Sequence, residues 1–327
     1  MRLLITLFIL TTHIAFADDR QAALEASHAK AVPVQNQKAI LVTGASSGIG
    51  RTITETLARQ GHFVFAGARK QKDIDALNQL TNVQAIRLDV TIQSDIDAAV
   101  NTVKASGKQL HGLVNNAGVA VFGPLIEISE RDIHFQDNVN VMGPYRITKA
   151  FAPLIIENKG RIANIGSISG LMSSTMFGPY SMTKHAIEAF SEALSSEMRK
   201  FGVKVSVIAP GNYNSNIMKN LKRRLEKQGH HFANSRYQDE YKRFAKFTNP
   251  DRSRFKAPDD VANAVVKALF DETPHLRYLV VPNEQEAMMP IKSTLKKVAE
   301  LNASHAFTFD KKQMLAWLSH EIDKANQ

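Results

Sequence analysis

The stretch that decides the fold is KAILVTGASSGIG, residues 38–50. It begins with a short apolar run, residues 38–43, of the kind that forms a strand buried on both faces. A glycine-rich turn follows at once, and a helical pattern then extends from Ile49 to about Gln60, where Gly61 ends it. A strand, a glycine turn and a helix in this order indicate the first unit of a parallel α/β sheet.

Apolar runs and helical patterns continue to alternate along the chain. Extended runs are predicted at residues 62–68, 85–88, 112–115, 161–165, 204–208 and 277–281, and helices at 94–105, 132–158, 180–201 and 259–270. This alternation implies a parallel sheet with helices on both faces, which binds its ligands at the carboxyl ends of the strands. We predict an α/β fold: a Rossmann-type doubly wound sheet in a single domain with a C-terminal helical extension.

The glycine turn is suited to hold a dinucleotide. Gly44 permits a tight turn, Gly48 leaves room for a pyrophosphate, and Gly50 permits close contact between helix and strand. The helix that follows presents free N–H groups and the positive end of its dipole to the phosphates. The predicted cofactor contacts from this turn are Gly44, Ser46, Ser47, Gly48, Ile49 and Gly50.

The motif YSMTK, residues 180–184, places a phenol and an ammonium four residues apart on one face of a predicted helix. A phenol with its ordinary pKa of about 10 is a poor base at neutral pH. A neighbouring lysine cation lowers that pKa. Tyr180 can then give a proton to a carbonyl oxygen or take one from an alcohol, beside Lys184. The alternative is a purely structural role, with the tyrosine in the core and the lysine exposed to solvent.

The spacing TGxxxGIG, residues 43–50, resembles the short-chain dehydrogenase/reductase family, and the resemblance covers about residues 38–283. It implies hydride transfer between a nicotinamide cofactor and an alcohol or carbonyl. Within it, Ser167 matches the family's substrate-polarising serine, and Asn140 matches the asparagine that anchors a water relay to the lysine. Ser169 and Asn138 compete for these roles, but the register of the motifs favours Ser167 and Asn140.

The resemblance also assigns further cofactor contacts. Asp89 and Val90 match the adenine-contacting position, and Pro210-Gly211 matches a turn beside the nicotinamide. Ser215 stands where family members commonly carry threonine, so a hydroxyl for the carboxamide is kept. The NNAG turn, residues 115–118, is expected to hold the central sheet together, and it adds Asn116, Ala117 and Gly118 as cofactor contacts. Tyr180 and Lys184 complete the predicted set.

The end of the second strand favours NADP(H) over NAD(H). Its sequence AGARK, residues 66–70, has no carboxylate. An acidic residue here binds the ribose hydroxyls of NAD and would repel a 2′-phosphate, whereas the guanidinium of Arg69 can bind that phosphate with two hydrogen bonds. Arg51, just after the glycine turn, is a second candidate.

The N-terminus reads as a targeting segment. Residues 1–17, MRLLITLFILTTHIAFA, combine Arg2, a short apolar run and a small-residue cleavage site, which predicts a signal peptide and export. The alternatives are a membrane-anchored or a cytoplasmic protein. Residues 18–37 form a polar lead-in, and the absence of cysteine excludes disulfides, thiolate catalysis and cysteine-ligated metal.

The net charge of +10 raises the question of an anionic partner. Basic residues crowd residues 219–256, but no nucleic-acid motif accompanies them, so we predict no nucleic-acid partner and favour a solvated basic surface. No metal site is predicted.

Two segments bear on the substrate. Residues 211–257 lie where the family places its substrate-covering segment, inside a predicted domain of residues 38–285. The aromatic residues of this segment either line a pocket for a bulky apolar substrate or pack on their own scaffold: Phe232, Tyr237, Tyr241, Phe244 and Phe247. Residues 286–327 form the helical extension, whose apolar face could cover the pocket, mediate dimerisation or touch a membrane surface.

The sequence therefore predicts an NADP(H)-dependent oxidoreductase acting on a hydrophobic alcohol or carbonyl, with Tyr180 as the proton donor and acceptor. The sequence PHLRYLV, residues 274–280, looks like the steroid and retinol dehydrogenase branch. A homo-oligomer, either dimer or tetramer, is expected. The alternative is a non-catalytic NADP(H)-binding sensor or a membrane-associated scaffold, which would have no need of Ser167, Tyr180, Lys184 and Asn140 together.

Overall fold

The computed structural model describes residues 37–227, 234–247 and 255–325. Seven strands form one sheet in the order β3-β2-β1-β4-β5-β6-β7, and every neighbouring pair is parallel. The strands are β1 Ala39–Val42, β2 Phe63–Ala68, β3 Val83–Arg87, β4 Leu110–Asn115, β5 Arg161–Ile165, β6 Lys204–Pro210 and β7 Arg277–Val280. The predicted doubly wound parallel sheet is confirmed.

Helices connect the strands and extend beyond the last one. They are α1 Gly48–Arg59, α2 Gln71–Asn78, α3 Gln93–Ala105, α4 Glu130–Asn140, α5 Met142–Glu157, α6 Gly178–Met198, α7 Ile217–Lys227, α8 Gln238–Phe247, α9 Asp259–Phe270, α10 Glu284–Ala303 and α11 Lys311–Ala325. The predicted targeting segment, residues 1–17, and residues 18–36 of the lead-in lie outside the described residues.

The first strand shows why the sheet needs cover on both faces. All four residues of β1 are buried. Ile40 and Val42 pack into one apolar cluster together with residues of α1 and α9, whereas Ala39 and Leu41 pack into a second cluster with residues of α3 and α5. Because successive side chains of a strand point to opposite faces, a continuous apolar run can only be satisfied in such a three-layer arrangement.

The strand order creates a crevice beside β1. The chain runs outward from β1 through β2 to β3 and then returns to place β4 on the other side of β1. The connections that leave β1 and β4 therefore diverge at the carboxyl edge of the sheet, where doubly wound folds bind their ligands. The glycine turn follows β1, and the NNAG turn contains the end of β4.

The single helix predicted over residues 132–158 is wrong. The structure has two helices, α4 and α5, that meet at Val141, whose backbone departs from helical values (φ −114°, ψ −59°). Pro144 supplies the physical reason, because it has no N–H to donate to the carbonyl of Asn140 four residues earlier. Proline is accepted in the first turn of a helix, so a new helix begins just before it.

The C-terminal extension contains two helices where the sequence indicated one. In α10 the predicted apolar residues Ile291, Leu295, Val298 and Leu301 are exposed, and α11 adds exposed Trp317. Two hydrogen bonds tie α10 to the body: Asn212 N–H donates to Glu286 Oε2 (2.7 Å), and Lys297 Nζ donates to the Leu171 carbonyl (3.0 Å). Among the described residues, no helix has the length and apolar character needed to span a bilayer.

Candidate active site

An open cleft lies at the carboxyl edge of the sheet, and every predicted cofactor-binding residue except the second candidate, Arg51, lines it. These residues are Gly44, Ser46, Ser47, Gly48, Ile49, Gly50, Arg69, Asp89, Val90, Asn116, Ala117, Gly118, Tyr180, Lys184, Pro210, Gly211 and Ser215. Ser167 lines the same cleft, whereas Asn140 does not. Residues far apart in sequence thus meet at one site, and their individual roles stay predictions.

The glycine turn has the shape that the sequence predicted. Gly44 and Gly48 adopt left-handed backbone conformations (φ 66° and 56°), which residues with a side chain rarely adopt. A Cβ on Gly44 would lie 2.9 Å from the Cα of Ala117, so the turns after β1 and β4 approach as closely as backbones can. Gly50 is also crowded, but by the Gly44 carbonyl and the Asn116 side chain rather than by a strand.

The N-terminus of α1 is free to bind an anion. Ser47 occupies the N-cap position but makes no side-chain capping hydrogen bond, and the first turn contains no acidic residue. Unsatisfied N–H groups and the positive end of the helix dipole therefore face the cleft, which is what a pyrophosphate requires. The residues present fit a dinucleotide.

A polar network that the sequence did not reveal fixes the glycine turn to β4. Asn116 Nδ2 donates to the carbonyls of Thr43 (2.9 Å) and Gly44 (3.1 Å), and the Thr43 hydroxyl accepts from the N–H groups of Asn116 and Ala117. Asn115 Nδ2 donates to Asn164 Oδ1 (2.9 Å), which ties β4 to β5. The structural role predicted for the NNAG turn has this physical basis.

Tyr180 and Lys184 face the same cleft from the first turns of α6. Lys184 Nζ lies 5.6 Å from the centroid of the Tyr180 ring and donates a hydrogen bond to the Ile165 carbonyl at 2.8 Å. Lys184 is only 7% exposed, so its ammonium depends on this carbonyl and on the groups in the cleft. The pair is therefore arranged to act together on one bound molecule.

The expected lowering of the tyrosine pKa is wrong for this structure. Burial raises the pKa of Tyr180 to about 12, and a hydrogen bond with Ser167 opposes that rise without cancelling it. Removing water disfavours the phenolate, and the neighbouring ammonium does not reverse this effect. At neutral pH the phenol is protonated, which is the form that donates a proton.

Burial acts on Lys184 in the opposite direction. It lowers the pKa of this ammonium to about 8 from an ordinary 10.5, and the nearby carboxylate of Glu188 only partly restores it. Between pH 8 and pH 10.5, Lys184 is protonated in the unfolded chain and deprotonated in the folded protein. The free energy of unfolding therefore rises with pH across this range. Below pH 8 the folded protein bears the full cost of burying the charged ammonium.

We expect wild-type protein to gain stability relative to Lys184→Met by about 2 kcal/mol between pH 8 and pH 10. Urea unfolding of both proteins at the two pH values measures this difference, and the groups that the two proteins share cancel in the comparison. A difference that stays constant with pH, or shrinks, would mean that Lys184 keeps its ordinary pKa in the folded protein.

Asn140 is buried, and its side chain is fully engaged with protein. Its Oδ1 accepts from Val119 N–H (2.8 Å), and its Nδ2 donates to the Val119 carbonyl (2.9 Å) and to the Thr183 hydroxyl (3.1 Å). The side chain thus links the loop after β4 to the helix that carries Tyr180. The atom of Asn140 that remains for the predicted water relay is its main-chain carbonyl, which Pro144 leaves without a helical donor.

The two arginines predicted for the 2′-phosphate differ in position. Arg69 lines the cleft with 61% of its side chain exposed, and its Nη1 lies 3.6 Å from Asp89 Oδ2. Arg51 does not line the cleft; its Nε pairs with Glu55 at 2.5 Å, one turn along α1. Arg51 lines a neighbouring pocket with Gly48 and Ser215 instead, so Arg69 is the candidate that the cleft supports and Arg51 stays a prediction.

An apolar cluster adjoins the reacting phenol. Buried Phe122, Met176, Leu221 and Tyr241 form its centre, and Tyr180, Tyr237 and Phe244 pack against it. The rings of Phe122 and Phe244 are stacked. The aromatic residues of the substrate-covering segment thus pack together beside Tyr180 and do not line the cofactor cleft. Phe232 and the side chain of Phe247 lie outside the described residues.

A doubly wound sheet with a glycine turn and a Tyr/Lys pair in one cleft defines a dinucleotide-dependent oxidoreductase class of site. The family model for the short chain dehydrogenases matches residues 38–226. The chain belongs to the short chain dehydrogenase family.

Three relatives illustrate the spread within this family. The mitochondrial D-beta-hydroxybutyrate dehydrogenase of Bos taurus is 39% identical over 197 residues, which are 57% of each chain, so this match spans just over half of that relative. The 3-ketodihydrosphingosine reductase of Bacteroides thetaiotaomicron is 32% identical over 78% of this chain and 92% of its own. Retinol dehydrogenase 7 of Rattus norvegicus is 36% identical over 61% of this chain and 64% of its own.

Solved structures share the fold and differ in cofactor. A short-chain dehydrogenase from Streptomyces avermitilis has a TM-score of 0.69 at 30% identity, covering 82% of this chain and 96% of its own. A Burkholderia phymatum enzyme in complex with NAD has a TM-score of 0.68 at 25% identity, over 84% and 98%. A variant of actinorhodin polyketide ketoreductase with NADPH has 0.64 at 25%, over 76% and 97%. A nicotinamide cofactor is supported for this chain.

Proposed function

We propose that this protein is an NADP(H)-dependent oxidoreductase that interconverts a hydrophobic alcohol and its carbonyl compound. The observation that carries the proposal is the meeting of Ser167, Tyr180 and Lys184 in the same cleft as the glycine turn. A protein that only bound the dinucleotide, such as a sensor or scaffold, would gain nothing from a protonated phenol and a serine hydroxyl at the far end of that cleft.

Each residue of the cleft has its own role in the proposed reduction of a carbonyl group. The nicotinamide cofactor supplies the hydride when it is bound. Ser167 donates a hydrogen bond to the substrate oxygen, and Tyr180 transfers its proton to that oxygen as the negative charge develops there. The Lys184 ammonium stabilises the phenolate that remains. Protons return to Tyr180 from solvent, past the Asn140 carbonyl, and alcohol oxidation reverses each step.

The preference for NADP(H) rests on charge. The end of β2 has no carboxylate to hold ribose hydroxyls, and Arg69 follows it at the edge of the cleft. Structures of relatives hold either NAD or NADPH, so the family alone does not decide between them. A hydrophobic substrate is supported by the apolar cluster beside Tyr180 and by relatives named for a ketodihydrosphingosine and a retinol.

The function is tested with a panel of retinoids, steroids and short aldehydes, followed by the absorbance of NADPH and, in parallel, of NADH. The proposal predicts turnover with NADPH that is faster for the bulky apolar substrates than for the short aldehydes. NADPH binding without turnover of any carbonyl or alcohol would favour the sensor or scaffold. Equal or better use of NADH would overturn the cofactor preference.

Replacing Arg69 tests that preference directly. We expect Arg69→Ser to weaken NADPH binding by about ten- to a hundredfold, because a charge-assisted hydrogen bond to the phosphate is lost. NADH binding should change little, since NADH has no phosphate at that position. Titration by NAD(P)H fluorescence measures both dissociation constants. Arg59→Ser, an exposed arginine near the other end of α1, is the control and should alter neither.

A further inference from the structure

A second cavity, of about 370 Å³, opens beside the cofactor cleft and is strongly basic. The cleft and this cavity are continuous, because both are lined by Ser46, Ser47, Arg69, Gly118, Val119, Asn216, Ile217 and Asn220. Its charged lining residues come from two elements that face each other: Arg69, Lys70, Lys72 and Asp73 around the start of α2, and Lys219, Arg223 and Arg224 on α7. Six cations and one carboxylate thus surround a single space.

Most of these cations have no acidic partner. Across residues 37–227, 234–247 and 255–325, no carboxylate forms an ion pair with Lys70, Lys72, Lys219 or Arg223, whereas Lys222 of the same helix pairs with Glu226 at 3.9 Å. The Nε of Arg224 is buried, and no hydrogen-bond partner for it exists in the described part of the chain. Like charges in this density repel one another and an unmade buried hydrogen bond is costly, so the arrangement is suited to an anion.

The apolar residues of α7 hold its basic residues in place. Leu221 is buried in the cluster beside Tyr180, and Ile217, Met218 and Leu225 pack against that cluster. Lys219 and Arg223 are four residues apart and therefore lie on one face of the helix, which lines the basic cavity. Packing of α7 against the apolar cluster thus fixes Lys219 and Arg223 beside the cofactor cleft.

The position of the cavity indicates which anion it takes. It lies at the Ser46, Ser47 and Arg69 end of the cleft, and its lining includes neither Ser167 nor Tyr180. Ala120 and Leu221 of the apolar cluster also line the cavity, so it lies between this cluster and the cofactor cleft, and Arg69 at its cofactor end favours the phosphate of the cofactor as the anion. Arg69 Nη1 lies 3.6 Å from Asp89 Oδ2, so this carboxylate neutralises part of the charge of the guanidinium. Additional cations at this end of the cleft would therefore strengthen the binding of a phosphate.

We propose that Lys219 and Arg223 of α7 close over the 2′-phosphate of NADP(H) from the side opposite Arg69, so that the substrate-covering segment itself sets the cofactor preference. This inference rests on the proposed NADP(H) dependence and deepens it. It assigns the phosphate a two-sided site, in which the loop after β2 supplies one half and α7 supplies the other.

The test compares the double variant Lys219→Gln/Arg223→Gln with Lys222→Gln. All three side chains are exposed, but Lys222 does not line the cavity, so Lys222→Gln is a control for loss of charge on α7. Dissociation constants for NADPH, NADH and adenosine 2′,5′-bisphosphate are measured by fluorescence or calorimetry. We expect NADPH and the bisphosphate to bind at least tenfold more weakly to the double variant, with NADH within twofold of wild type and the control unchanged.

Three results would overturn the inference, and each has a different meaning for the proposed function. If the double variant keeps wild-type affinity for NADPH while Arg69→Ser loses it, α7 has no part in phosphate recognition, and the proposed function stands. If NADPH and NADH weaken equally, α7 acts on the shared part of the dinucleotide. If wild-type protein binds NADH as well as NADPH, the proposed cofactor preference fails together with the inference.

Discussion

Tyr180→Phe will lower turnover with NADPH by about 10²- to 10⁴-fold, the range that a positioned general acid contributes. The substitution removes one oxygen atom and keeps the ring that packs against the apolar cluster. Because the phenol pKa is raised to about 12, this group holds its proton at neutral pH until the substrate oxygen takes it.

The measurement is kcat and KM with the best substrate of the panel, together with the dissociation constant of NADPH. The cofactor should bind the variant within severalfold of wild type, because the glycine turn and Lys184 are untouched. Tyr237→Phe is the matched control: this phenol packs against the same cluster but does not line the cleft, so its loss should leave kcat near wild type. Turnover of Tyr180→Phe within severalfold of wild type would show that another group supplies the proton.

The sheet could be predicted because each strand carries its own signal. A run such as residues 39–42 is apolar on both faces, and only a sheet covered by helices on both sides buries it. The error at residues 132–158 had a local cause that was also visible, since Pro144 removes one helical hydrogen bond. Helix α2, between β2 and β3, and helices α7 and α8 were not predicted. The local pattern of α7 was nevertheless present, since Ile217, Leu221 and Leu225 recur every four residues along one face.

The sequence predicted which residues line the site but not how the site shifts their pKa values. The motifs after β1, β4 and β6 converge because parallel strands end at one edge of the sheet. Asn216, Ile217 and Asn220 also line the cleft, and no spacing in the sequence relates them to the glycine turn. The direction of the Tyr180 pKa shift depends on how completely distant residues exclude water, which the spacing of Tyr180 and Lys184 does not report.

Gly50→Ala will destabilise the protein by about 3 kcal/mol or more, although alanine is the better helix former by about 1 kcal/mol. The steric clash outweighs the gain in helix propensity, because a Cβ at this position would overlap both the Gly44 carbonyl and the Asn116 amide. Moving Asn116 away would break its hydrogen bonds to Thr43 and Gly44, which join the turn to β4. We expect NADPH binding to weaken at least tenfold as well, since the N–H groups of this turn form the phosphate site.

Gly107→Ala separates this steric effect from the general cost of replacing a glycine. Gly107 has a left-handed backbone (φ 67°), but a Cβ there would meet nothing within 4 Å. Its replacement should cost only the conformational strain, about 1 kcal/mol, and leave NADPH binding unchanged. Urea unfolding and NADPH titration of both variants make the comparison. Since Gly50 has no such backbone strain, a stable Gly50→Ala protein would mean that Asn116 does not lock the turn to β4, and that the phosphate site is held in some other way.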